Sequence, residues 1–352
     1  MRPLTLLIFL LVLLQQAARG QDISYIDLYP DTAITVLGQD FFLSRVDAIT
    51  YAPKYGYFFG DRRWSQIAQT DRQFQLIRTL GRPGEGPEEL GSVRYLHVWG
   101  DTLFVATRGV IKKFLLPDFR YLDRYLIRTR CFHCIHITPY GIAQTVVNSE
   151  TPLRLYDLKG HVLHQFGRVL EPNHPSSVFL NLRAGVFITE AKEILAVPQL
   201  QNQVERYAFD GQLREVFRLD QPPALIQVFR KAQRRTQELQ RTRPYALAPL
   251  WGDVTYAKGL LYLATAQRWP EASHIQHVLV VRVTQERMQL SHILRLHRDQ
   301  TPLQMGLLEK ANSPQDVYLS ARLIEVIPET NTLLAWMLPE NLLYVYTLPE
   351  QP

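Results

Sequence analysis

The sequence predicts an all-β protein: a six-bladed β-propeller whose blades are four-stranded antiparallel sheets. Three observations carry the prediction. A hairpin recurs: Phe74-Gln75-Leu76 follows Thr70-Asp71, Phe119-Arg120-Tyr121 follows Pro117-Asp118, His161-Val162-Leu163 follows Leu158-Lys159-Gly160, and Leu213-Arg214-Glu215 follows Phe209-Asp210-Gly211. The turns lie roughly 42 to 51 residues apart, which is the period of a propeller blade. The last unit is one strand short, and one extra alternating run precedes the first.

In chain order, residues 1–20 read as a secretory signal. Met1-Arg2 supplies the charge, Leu6 to Leu14 the apolar run, and Ala18 and Gly20 the small residues before Gln21. That run is too short to span a bilayer, and no other stretch is long and apolar enough. The chain is therefore expected to be secreted or periplasmic after cleavage near Gly20/Gln21, with no transmembrane segment. Residues 21–352 read as one propeller domain. Blades are expected at about 41–80, 92–127, 131–166, 178–219, 252–298 and 319–347. The last of these holds only Ala321–Val326, Thr332–Trp336 and Leu342–Thr347, so residues 23–28 are expected to supply its fourth strand and close the ring. An open sheet edge would otherwise invite aggregation. Gln221-Pro222-Pro223 interrupts the strands and opens a helical insertion over 224–243. Its apolar side carries Leu225, Ile226, Val228, Phe229 and Ala232, and the rest is basic. A short helix is expected within 300–317.

Composition narrows the class further. Hydrophobic content of 46% with 11% aromatic residues suits a packed globular protein. Losing Arg2 and Arg19 with the signal lowers the formal charge from +6 to +4, too mild an excess to argue for nucleic acid. Cys131 and Cys134 sit in what reads as a strand. Three strand residues rise about 10 Å, beyond the roughly 7 Å over which a disulfide closes.

After the first hairpin comes Leu80-Gly81-Arg82-Pro83-Gly84-Glu85-Gly86-Pro87-Glu88-Glu89-Leu90, preceded by Tyr57-Phe58-Phe59-Gly60-Asp61-Arg62-Arg63-Trp64. This pairing resembles the exported bacterial six-bladed propellers related to NHL-repeat and TolB-like propellers. In those proteins an Asp/Arg-containing turn and a hairpin precede a Gly-Pro-Gly-Glu-Phe-like linker. Here Glu88 replaces the second Gly and Leu90 the Phe. The resemblance implies a fold and an export route, not an activity. As a phosphate loop the segment fails, since no Lys-Ser/Thr and no helix start follow it.

Other motifs are weaker. Cys131-Phe132-His133-Cys134-Ile135-His136 has Ile135 where haem attachment needs histidine. Strand alternation also divides its ligands between two faces, short of a zinc site. His274-Ile275-Gln276-His277 reads as a surface loop. The basic 224–243 segment reads as a solvated face, with an anion-attracting rim or a membrane-surface contact as the functional alternative.

Function is expected on the loops between the second and third strands, converging on one mouth of the central channel. They carry Asp61, Arg62, Arg63, Trp64, Arg108, Asn148, Glu150, Gln201, Asn202, Arg268, Trp269, Glu340 and Asn341. Arginine forks, tryptophan faces and amides suit a small polar ligand, a glycan or a peptide/protein partner. The expectation is a noncatalytic binding propeller without cofactor. The alternative is a metal-dependent hydrolase or lactonase with Ca2+ or Zn2+ in the channel.

Overall fold

The computed structural model describes residues 23–34, 36–37, 41–107, 109–127, 135–146, 150–170, 181–242, 248–266, 269, 275–298, 321–337 and 342–350. Six antiparallel blades form a ring. Blade 1 is Val46–Ala52, Gly56–Asp61, Gln66–Thr70 and Leu76–Leu80. Blade 2 is Tyr95–Trp99, Thr102–Ala106, Val110–Leu115 and Arg120–Leu126. Blade 3 is Ile135–Thr138, Gly141–Thr145, Leu153–Tyr156 and Val162–Phe166. Blade 4 is Arg183–Ile188, Glu193–Pro198, Gln203–Ala208 and Leu213–Arg218. Blade 5 is Trp251–Ala257, Leu260–Thr265, Ile275–Val283 and Met288–His297. Blade 6 has Ala321–Ile327, Thr332–Met337 and Leu342–Thr347. The first strand of each blade touches the first strand of the next, all the way round.

The recurring hairpin has one geometry. Phe74, Phe119, Gly160 and Gly211 take positive φ of 57 to 92°. The ladder slips by one residue at Gln69/Thr70, Lys113/Phe114, Leu155/Tyr156 and Arg206/Tyr207. This is a left-handed turn residue followed by a bulge. Asp71 Oδ1 accepts hydrogen bonds from the Gln73 and Gln75 amides, and Asp157 Oδ1 from those of Lys159 and His161. The short aspartate side chain thus fixes the turn.

Strand alternation fills the space between blades. Phe58 and Ile67 of blade 1 pack on Leu103 and Phe114 of blade 2, while Tyr57, Phe59 and Ala68 pack on Leu334 and Trp336 of blade 6. Similar clusters lie between the other neighbouring blades. Helix α1 (Pro223–Thr242) docks between blades 4 and 5 by Leu225, Val228, Ala232 and Thr236, leaving Arg230, Lys231, Arg234, Arg235 and Arg241 in solvent. Among the described residues no helix is long and apolar enough to cross a membrane.

Ring closure corrects the sequence reading. Thr32–Ile34, not residues 23–28, supplies the fourth strand of blade 6, antiparallel to Leu342–Thr347. Ser24–Leu28 instead lies parallel to Met288–His297 as a fifth strand of blade 5. Side chains explain the choice. Leu28 enters the cluster between blades 5 and 6. Asp27 pairs with Arg295 at 2.5 Å and with His297 at 2.6 Å, and Tyr29 stacks on His297 with ring centroids 4.4 Å apart. The three-residue closing strand is held in addition by the Asp31 amide on the Val345 carbonyl, 2.8 Å, and by Thr347 Oγ1 on Asp31, 2.9 Å.

The Gly-rich linker is structural. Arg82–Pro83 pairs with Glu89–Leu90, and Leu90 is fully buried between blades 1 and 2. The Lys112 ammonium donates to the Gly86 and Glu89 carbonyls at 2.6 and 2.5 Å. The cysteine segment 131–134, residues 299–320 and the signal lie outside the described residues. His277 does not sit in a loop: it is buried in the third strand of blade 5.

Candidate functional site

Along the axis the first strands enclose a cavity of about 710 Å3. Strand register explains its lining. The third residue of every second strand is Phe58, Phe104, Ala143, Leu195, Tyr262 or Leu334. Their partners on the first strands are Thr50, His97, His136, Phe187, Thr255 and Glu325. One residue per blade therefore stands at the same level, and all six line the cavity. Neighbours in this belt touch: the His136 and Phe187 rings meet edge to face at 5.4 Å, and Thr255 Oγ1 donates to Glu325 at 3.4 Å. Two residues further from the turns, Tyr95 and Asp253 also line the cavity. At the turn end the rim carries the exposed Lys54–Asp101 pair at 3.0 Å and the Tyr256 hydroxyl on Glu190 at 2.6 Å.

Burial sets the protonation of this wall. It pushes Glu325 up to about 8, aided by nearby Asp253, and Asp253 up to about 7, against the amide of Ile324 donating to it at 2.7 Å. It pushes His97 down to about 4, and it pushes His136, with His97 beside it, down to about 3. Burial also raises the Tyr95 phenol. At neutral pH, Glu325 is then mostly a carboxylic acid, and both imidazoles are neutral. The Ile188 amide donates to His136 Nδ1 at 3.0 Å, so the ring proton sits on Nε2. The belt can donate several hydrogen bonds, and Phe187 adds an aromatic surface.

The loop residues singled out in the sequence are dispersed, and none of those described lines this cavity. Asp61 is fully buried and accepts hydrogen bonds from the amides of Ser44, Arg45, Arg63 and Trp64, so it holds its own turn. Arg62 reaches Asp47 in the cavity wall at 3.6 Å, beside Arg94 at 2.9 Å. Burial first, then neighbouring positive charge, lowers Arg94 to about 10. Trp64 is 48% exposed, with the Arg63 guanidinium 5.5 Å above its ring. Glu150 is exposed. Gln201 and Asn202 line a second cavity of about 330 Å3 between blade 4 and α1. Asn202 is used locally, donating to the Leu219 carbonyl and to Asp220. Trp269 is buried in the core and stacks on His277 at 4.2 Å. Arg108, Asn148, Arg268, Glu340 and Asn341 lie outside the described residues. The belt residues carried a signal of their own: each of Leu96-His97-Val98, Ile135-His136-Ile137 and Ile324-Glu325-Val326 sets a polar side chain between apolar ones in a strand.

Among the described residues no group of three or more His, Cys, Asp or Glu side chains is placed to hold a metal ion. No protein-family model matches the chain, and no curated protein sequence matches it. Solved structures do resemble it. A protein of Bacteroides fragilis whose name describes it as exported is 9% identical, over 89% of this chain and 88% of that one, with a TM-score of 0.50. A streptogramin B lyase is 12% identical, over 92% and 97% of the two chains, with a TM-score of 0.50. The WD40 repeats of RRP9 are 9% identical, over 91% and 99%, with a TM-score of 0.51. At these identities the likeness carries the fold alone.

Proposed function

We propose that the protein is an exported, noncatalytic propeller that binds a small polar ligand in its axial channel. One observation carries the reading. Six first strands place Thr50, His97, His136, Phe187, Thr255 and Glu325 at one level around a cavity of about 710 Å3. A polar belt in the middle of a protein costs stability unless its groups find partners, and a ligand supplies them. The volume falls in the roughly 300–1,000 Å3 range of small-molecule sites. Export rests on the signal-like residues 1–20 and agrees with the name of the Bacteroides neighbour. The loops expected from the sequence to form the mouth enter this reading through Arg62, whose partner Asp47 stands in the cavity wall.

The test is a thermal-shift screen of sugars, amino acids and short peptides on the wild type and on Ala257→Trp. Ala257 lines the channel, and an indole there narrows it. Compounds that stabilise the wild type but not the variant support the reading. Compounds that stabilise both equally place binding elsewhere and overturn it.

A further inference from the structure

The belt constrains what kind of ligand the channel takes. Five of its six members present polar hydrogen-bonding groups, and the sixth, Phe187, is aromatic. The backbone fixes some of their roles. His136 takes the Ile188 amide on Nδ1, which leaves Nε2–H to donate. The Tyr95 oxygen accepts the Ile137 amide at 3.3 Å, which leaves its O–H to donate. Thr255 spends its hydroxyl proton on Glu325 and keeps acceptor capacity. The chemistry called for is a compact ligand with several neutral oxygens and an apolar face. We propose that the belt of Thr50, His97, His136, Phe187, Thr255 and Glu325 binds a neutral saccharide. Its hydroxyl and ring oxygens take the belt's donors, and its C–H face lies on Phe187.

Charge argues the same way. The belt is neutral near pH 7, because burial holds Glu325 protonated and both histidines unprotonated. A carboxylate, phosphate or ammonium entering it would lose its hydration and gain no opposite charge. The charged groups of this wall lie beyond the belt, at Asp47, Arg94 and Asp253, the last about half ionised near pH 7, on one side and at Lys54, Asp101, Glu190, Lys258 and Glu329 on the other.

The inference rests on the channel being the binding site, and the experiment separates the two claims. Wild type, Glu325→Gln, Glu325→Ala and Phe187→Ala are titrated calorimetrically at pH 6.5 with glucose, galactose, N-acetylglucosamine, maltose and cellobiose, and with glucuronate, galacturonate and glucosamine. At least one neutral sugar is expected to bind, with its charged counterpart at least about tenfold weaker. Glu325→Gln, which keeps a neutral donor, is expected within about threefold of wild type, while Glu325→Ala and Phe187→Ala lose about tenfold or more. Raising the pH to 9.5 ionises Glu325, and Asp253 beside it, and should weaken the wild type by about fivefold or more while sparing Glu325→Gln more than the wild type. Charged sugars that bind best and are lost in the belt variants would overturn the neutral-saccharide inference and leave the channel reading standing. Neutral sugars that bind all four proteins equally would overturn the inference. If no neutral sugar binds, the inference fails. The channel reading fails with it only if no compound of the wider screen distinguishes wild type from Ala257→Trp.

Discussion

Replacing Glu325 by glutamine should stabilise the protein, and more so as the pH rises. Folding lifts this carboxyl from an ordinary 4.5 to about 8, chiefly by burial. Below pH 4.5 both folded and unfolded chains hold the proton. Between pH 4.5 and about 8 the unfolded chain has released it and the folded chain has not, so stability falls across that window. Above about 8 both are ionised and the loss is complete. The full displacement corresponds to roughly 5 kcal/mol, at about 1.4 kcal/mol per tenfold change. Water in the adjoining cavity screens part of this, leaving about 2–4 kcal/mol. Glutamine keeps the shape and has no proton to lose. Urea unfolding followed by tryptophan fluorescence at pH 5, 6.5, 8 and 9 measures both proteins. The glutamine variant should nearly match wild type at pH 5 and exceed it by about 2–4 kcal/mol at pH 8 and above. A difference that is absent, reversed or independent of pH would show that burial does not hold Glu325 protonated in the folded protein. The wild type itself should be most stable near pH 6.5. Below that pH, the loss from His97, His136 and His277, all pushed down by burial, outweighs what Glu325 and Asp253 regain; above it, the histidines contribute fully while the carboxyls go on losing stability, Asp253 up to about pH 7 and Glu325 up to about pH 8.

Three further outcomes follow from the fold. A chain beginning at Pro30 loses the parallel outer strand and the Asp27 pairs and should elute as the longer chain does, weakened by about 1–3 kcal/mol. A chain beginning at Val36 also loses Thr32–Ile34, exposes the Leu342–Thr347 edge and should aggregate in size-exclusion chromatography; equal behaviour of the two would contradict the closure. Lys112→Met leaves the Gly86 and Glu89 carbonyls without their ammonium donor, which should cost about 2 kcal/mol in denaturant unfolding and speed proteolysis within residues 81–90. Gly56→Ala should cost about 3 kcal/mol or more, because φ is +82° and the new Cβ would lie 1.9 Å from the Thr70 carbonyl oxygen.

The blades were legible because their signal is local. Alternation shows which residues face a neighbouring blade, and Asp71, Asp157 and Asp210 mark hairpins whose turn chemistry needs them. Closure was harder to read. Ile23–Leu28 alternates well, whereas Thr32–Ile34 is too short to show a period. What separates them is the pairing of Asp27 with Arg295 and His297, residues far away in the sequence. The belt was harder still. Its six positions share a register, not a residue type, and the register exists only once the second strands are paired. The expected mouth loops had the right residue types for binding, yet Asp61 is used to build its turn, and Trp269 to fill the core against His277.

The most direct test of the channel as the binding site is calorimetric titration of a screened ligand into wild type and Ala257→Trp side by side, with far-UV spectra showing both folded. A saturable heat is expected with the wild type, abolished or weakened at least about tenfold by the indole. Equal affinity for the two proteins would contradict binding in the channel.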